Sequence, residues 1–292
     1  MSCALLPFVA AELAAPADPR AIAMAAALAA RYPQAARAVL FYGSCLREAS
    51  LDGLMLDFYL IVSDYPAAYG KSWLVRANRL IPPNVFPFEH DGLIAKYAVL
   101  SVADFARLCG SGADNVSVWA RFAQPSRLLW AADAAARHAV TGAVATAAPT
   151  LLSLARPMLP VDADVMDMWK TGFALTYRAE LRAERKGRSL SIVEADPDRY
   201  RALGAAALVD GLPPAPADAP ARWRRLQRRG KWLSVIRLAK ASFTYAGGID
   251  YLAWKINRHA GTRIEIKPWQ RRWPLIGAIT LLPRLFRDGA IR

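Results

Sequence analysis

The chain has 292 residues, 55% of them hydrophobic, with a formal net charge of +14, a length that suits two domains each able to bury its own core. Its three cysteines, Cys3, Cys45 and Cys109, form an odd set without paired short spacing, which argues against a disulfide frame or a zinc motif and for a reduced, intracellular protein. The N-terminus lacks a basic region, and its apolar run is broken at Pro7, Glu12 and Pro16, so no secretory signal is expected.

In chain order, the alanine-rich opening predicts a helix from about Pro19 to Tyr32. Arg37 to Tyr42 predicts a first strand, Gly43-Ser44 a turn into the short segment Cys45 to Glu48, and Ser50-Leu51-Asp52-Gly53 a second turn. Leu54 to Ser63 predicts a second strand, apolar enough along its length to be buried on both sides. Tyr69 to Leu80 has helical spacing with Trp73, Val75 and Leu80 on its apolar side, and Pro82-Pro83-Asn84 breaks it. Leu93 to Leu100 predicts a third strand, followed by a Ser101-capped helix to about Leu108. Asp114 to Phe122 predicts another helix, Ser126 to Trp130 a short strand, and Ala131 to Ala148 a long helix that Pro149 ends or kinks. After Pro157 and Pro160 the pattern turns helical: Asp164 to Lys186, capped by Asp162 or Asp164, then Asp196 to Leu208 with Pro197 in its first turn. Pro213 to Pro220 predicts a linker.

Strands alternating with helices argue an α/β (α+β) domain over 1–158, with a helical domain over 159–221 and a tail over 222–292. The tail holds 17 Lys/Arg against 3 Asp/Glu, so the whole charge excess sits there. Its basic residues are interleaved with Trp223, Trp232, Phe243, Tyr245, Tyr251, Trp254, Trp269, Trp273 and Phe286, a composition that suits an anionic interface, lipid headgroups or nucleic acid. Its longest apolar run, Trp273 to Pro283, is about 11 residues, whereas a spanning helix needs roughly 20. The tail is therefore expected to lie on a membrane and not to cross it.

Within this layout Asp57 needs an explanation first. It stands in Met55-Leu56-Asp57-Phe58-Tyr59-Leu60-Ile61-Val62, and a carboxylate among such neighbours is costly to bury unless something compensates it, a divalent cation being a common compensator. A Gly-Ser turn between two strands, followed about a dozen residues on by an aspartate, is the layout of the polymerase-beta-like nucleotidyltransferases. Glycine lets the backbone approach a triphosphate, the serine hydroxyl and turn amides hold phosphate, and the carboxylate fixes Mg²⁺. A plain strand-turn-strand fits the same pattern. Members of that superfamily usually carry Asp-x-Asp; here Tyr59 takes the second position.

The longer words Tyr42-Gly43-Ser44, Met55-Leu56-Asp57-Phe58, Lys96-Tyr97-Ala98-Val99-Leu100-Ser101, Arg121 with Pro125, Tyr177-Arg178-Ala179-Glu180-Leu181-Arg182, and Ser234 to Gly248 resemble the mitochondrial-type phosphatidate cytidylyltransferases, the translocator assembly and maintenance family that makes CDP-diacylglycerol. The matches run in order from about residue 38 to 260. That family also lacks the second Asp of Asp-x-Asp; it tends to have glycine where Cys45 and Ala98 stand and Asp where Glu180 stands. The resemblance implies a polymerase-beta-like nucleotidyltransferase domain followed by a winged-helix-like helical domain. It also implies cytidylyl transfer from CTP to phosphatidate with Mg²⁺ as cofactor, in phospholipid (cardiolipin) biosynthesis, at the cytoplasmic face of the inner membrane or facing the matrix if mitochondrial.

On that resemblance Asp57 holds Mg²⁺, Glu180 is a second metal ligand or a positioning residue, and Tyr42, Gly43 and Ser44 hold the triphosphate. Lys96, Arg121 and Arg182 neutralise phosphates, while Arg237, Lys240, Trp254 and Lys255 in the tail meet lipid. Plainer roles compete: Lys96 snorkels at a sheet edge, Arg121 is a structural arginine, Glu180 and Arg182 belong to a solvated charged helix face, and Tyr59 is core. Three functions follow. The first is CTP:phosphatidate cytidylyltransferase on an anionic membrane surface, with nucleic acid an unlikely partner. The second is a nucleotidyltransferase acting on RNA or another phosphorylated acceptor, and the third is a degenerate nucleotide-binding protein without catalysis.

Overall fold

The computed structural model describes residues 4–48, 50–70, 72–180, 192–244 and 267–268. Five strands form one mixed sheet: β1 (Ala36–Tyr42), β2 (Met55–Val62), β3 (Asn84–His90), β4 (Leu93–Ser101) and β5 (Ser126–Ala131), in the order β3-β4-β2-β1-β5. Only β2 and β4 run parallel; the other pairs are antiparallel. The mixed α/β class expected from the alternating pattern is present.

Side chains alternate across the strands, and each face has its own core. Val39, Phe41, Phe58, Leu60, Tyr97 and Val99 pack with Met24, Ala25 and Leu28 of α2 (Pro19–Ala30). On the opposite face Leu40, Tyr59, Ile61, Ala98 and Leu100 pack with Phe105, Trp119, Val144, Leu151, Trp169, Phe173, Tyr200, Trp223 and Leu226. This second core draws residues from all three predicted segments, 1–158, 159–221 and 222 onward.

The remaining helices are α1 (Leu5–Ala14), α3 (Tyr65–Tyr69), α4 (Ser72–Leu80), α5 (Val102–Cys109), α6 (Trp119–Phe122), α7 (Ala134–Ala145), α8 (Ala147–Ala155), α9 (Val165–Tyr177), α10 (Pro197–Val209) and α11 (Ala219–Thr244). Caps account for several starts. Ser101 accepts from Asp104 N, Asp133 from Ala136 N and Asp196 from Arg199 N, and Asp164 with Asp167 forms a reciprocal capping box. Taken together, α7, α8 and the turn after them, Ala134–Met158, are long and apolar enough to cross a membrane, but 72% of their most apolar window is buried inside the protein.

Several expectations change. Strand β3 was not expected: Pro87 disguises it, yet it lies at the edge of the sheet, where proline is tolerated. Trp73 and Leu80 are 49% and 78% exposed, and of the three residues given to the apolar side of α4 only Val75 is buried. The helix expected from Asp114 shrinks to four residues, because the Asn115 side chain accepts from Ser117 N at 3.1 Å and holds a local turn. The long alanine helix divides at Thr146, which places Pro149 in the first turn of α8, where its missing N–H costs nothing. The described helix from Asp164 ends at Tyr177; 181–191 lies outside the described residues.

Candidate functional site

The sheet order brings Tyr42, Asp57 and Lys96 into one row. Asp57 is the register partner of Tyr42 in antiparallel β1 and of Lys96 in parallel β4, and cross-strand partners share a face. The row lies toward one end of the face that packs against the helices, where Tyr42 is the last residue of β1. Gly43 follows with φ +98°, a conformation that favours glycine. A Cβ built there would lie 3.3 Å from Asp57 Oδ2. Ser44 is exposed and opens a short 3₁₀ turn, Ser44–Arg47.

Asp57 and Lys96 keep 23% and 27% of their side-chain surface, and the Lys96 ammonium is 2.9 Å from Asp57 Oδ1. That oxygen is buried, and the ammonium at 2.9 Å is what meets its charge among the described residues. Cys45, where the resemblance expects glycine, turns into the α2-side core and its thiol reaches Met55 O at 3.5 Å.

Behind this row sits a second ion pair. Arg121 of α6 donates to Glu180 Oε1 at 3.3 Å and to Ser117 O, with the Glu180 side chain only 8% exposed. Burial opposes the Arg121 charge, but Glu180, Tyr59, Tyr42 and Asp57 together hold its pKa above the usual value. The Tyr42 phenol is pushed well up, first by burial and then by Asp57 and Tyr59. Tyr42 lies 5.2 Å from the Tyr59 ring and 6.0 Å from that of Phe122, so the row is continued by aromatic packing. Among the described residues Asp57 pairs with Lys96 and Glu180 with Arg121.

Arg237 and Lys240 are placed differently from the expectation of a lipid-facing role. Both turn from α11 toward the loop between α4 and β3. Arg237 donates to Pro82 O at 2.9 Å and to Ser117 Oγ at 2.6 Å; Lys240 donates to Pro83 O at 2.8 Å and to Ile81 O. The reason is helical phase: Trp223 and Leu226, buried in the core, fix the orientation of α11. The outward side carries Arg224, Arg225, Arg228, Lys231, Trp232 and Ile236 instead. Arg182, Trp254 and Lys255 lie outside the described residues. Ser117 was missed altogether; a lone serine in a loop has no pattern to betray it.

Among the described residues no three His, Cys, Asp or Glu side chains group as a metal cage. The Asp57 carboxylate, whose Oδ2 faces the Gly43 bend, does fit the other way in which Mg²⁺ is held, by one or two carboxylates together with substrate phosphates. No protein-family model matches this chain, and no curated protein matches it significantly.

Proposed function

We propose that the chain is a polymerase-beta-like nucleotidyltransferase that moves a cytidylyl group from CTP to the phosphate of phosphatidate, yielding CDP-diacylglycerol and pyrophosphate. The observation that carries this reading is the Asp57–Lys96 pair beside Gly43. A part-buried carboxylate in an apolar strand needs compensation, and Asp57 has it from the Lys96 ammonium 2.9 Å from Oδ1, while its Oδ2 adjoins a bend that favours glycine. A cation–triphosphate complex would use such an atom. The five-stranded mixed sheet, with the Gly-Ser bend leading from β1 toward its neighbour β2, is compatible with the proposed fold.

In the reaction, an oxygen of the acceptor phosphate attacks the α-phosphorus of CTP. The bond from that phosphorus to the oxygen bridging the β-phosphorus breaks, and pyrophosphate leaves with the electron pair. A phosphate monoester has its second pKa at about 6, so this nucleophile needs no base. That removes the need for a second acid at Tyr59. Asp57 would hold Mg²⁺ with the triphosphate oxygens, and the metal would supply neutralisation of their charge. Lys96 and Arg121 counter the repulsion between donor and acceptor phosphates. Glu180, tied to Arg121, serves as its positioning residue.

A membrane surface as the place of reaction is supported by the outer side of α11, where Trp232 is 70% and Ile236 40% exposed among arginines and a lysine. Purified protein supplied with CTP, Mg²⁺ and phosphatidate vesicles is expected to release CDP-diacylglycerol and pyrophosphate, and Asp57→Ala to lower the rate by about a hundredfold or more. No product from the wild type, or full activity in Asp57→Ala, would overturn the reading.

A further inference from the structure

Three cations converge where α11 meets the α4–β3 loop and α6. Arg237 uses Nε on Pro82 O and Nη1 on Ser117 Oγ, while Nη2 is buried with no hydrogen-bond partner among the described residues. Lys240 donates to the carbonyls of Ile81 and Pro83. Arg121 donates to the backbone oxygen of the same Ser117 whose hydroxyl holds Arg237. The acids acting on Arg237 are Glu180, which is committed to Arg121, and Asp114, which pairs with Arg229 at 2.6 Å.

Carbonyl capping accounts for the donors that are used but not for the charges. Neutral donors would cap three carbonyls as well, whereas each buried cation costs several kcal/mol in desolvation unless an anion offsets it. The strain is visible in the ionisation. Burial lowers the Arg237 pKa in spite of Glu180, and burial followed by Arg237 pushes Lys240 down to about 7. An arginine fork with a spare N–H beside an ammonium is the donor set that grips a tetrahedral dianion. Both residues are only partly buried, while Nη2 itself is shielded, so an anion engages the fork by displacing what covers that nitrogen.

We propose that Arg237, Lys240 and Arg121 form an anion subsite that takes the phosphate monoester of the acceptor, separate from the Gly43–Asp57–Lys96 row that takes the triphosphate. The acceptor's identity rests on the cytidylyltransferase reading; the anion site itself does not. Arg121 and Arg237 both act on Tyr59, which is two residues beyond Asp57 on the same sheet face, so the subsite adjoins the row.

The test uses the full-length protein with inorganic phosphate and with short-chain soluble phosphatidate, each against chloride at matched ionic strength. Binding is followed by calorimetry and thermal unfolding. Both ligands are expected to raise Tm above the chloride control. Arg237→Gln is expected to weaken phosphate binding about tenfold or more, and Ser117→Ala, which frees the Arg237 fork, to weaken it severalfold. Mg²⁺–CTP affinity should stay within about threefold in both variants, a split that a merely structural role would not produce. Wild type gaining nothing beyond chloride, or Arg237→Gln binding phosphate as the wild type does, would overturn the subsite. If Arg237→Gln does not fold, Ser117→Ala and Lys240→Gln carry the same comparison. Arg237-dependent phosphate binding in a protein that fails to bind Mg²⁺–CTP would keep the anion site and remove the enzyme reading. Binding of phosphate but not of soluble phosphatidate would remove the lipid as acceptor.

Discussion

Gly43 is constrained twice, by a φ of +98° and by an absent side chain that leaves Asp57 Oδ2 room. Gly43→Ala is therefore expected to cost about 1–3 kcal/mol in backbone strain and to push Asp57 off Lys96. Thermal unfolding should show a small Tm loss, and an assay of the proposed cytidylyl transfer a loss of at least about tenfold. The residues of this row were legible in the sequence because their chemistry clashes with their surroundings: Asp57 and Lys96 interrupt apolar strands. Their mutual contact was not legible, since it depends on β2 and β4 being parallel neighbours in register, a fact of topology. The Ser117–Arg237 contact arises only where distant segments meet.

Residues 222–292 were read as a tail lying on a membrane because their composition is basic throughout, and the phase of α11 divides its first part into a core-facing side and an exposed basic side. Trp223 Nε1 donates to Leu154 O at 2.8 Å and its ring meets Trp119 edge-on at 6.2 Å. Gly230 passes so close to α9's end that a Cβ there would sit 2.2 Å from Ala179 O. Gly230→Ala must therefore displace the helix or the residues before Glu180. A loss of about 2–4 kcal/mol in denaturant unfolding is expected, with Arg237 and Lys240 drawn off the α4–β3 loop. Strand β3 makes the same point from the other side, since residues 84–90 alternate weakly and include a proline, and only an edge position lets them pair.

At the scale of the molecule, the N-terminal helix is fastened to the helical layer by an ion pair. Arg199 donates to both oxygens of Glu12, one bond at 2.9 Å, with side-chain exposures of 9% and 13%. Removing one partner leaves a buried charge, so Glu12→Ala is expected to cost about 3–5 kcal/mol, read as a fall in denaturation midpoint. Lys240 gives the fold a pH signature. The unfolded chain holds this proton to about 10.5, the folded one releases it near 7, so the unfolded state binds more protons between those values and stability rises with pH across that window. In chloride buffers, the stability gained by Lys240→Met over wild type should be largest below pH 7 and shrink toward pH 10; a constant difference would show that the ammonium is not buried at a cost.

The hydrophobic layer beneath the sheet recruits side chains from residue 5 to residue 226. The Asp57 row and α11 therefore share one packed layer. Whatever surface captures the outer side of α11 thereby holds the Asp57 row at a set height and tilt above it, and a pull on one is felt by the other.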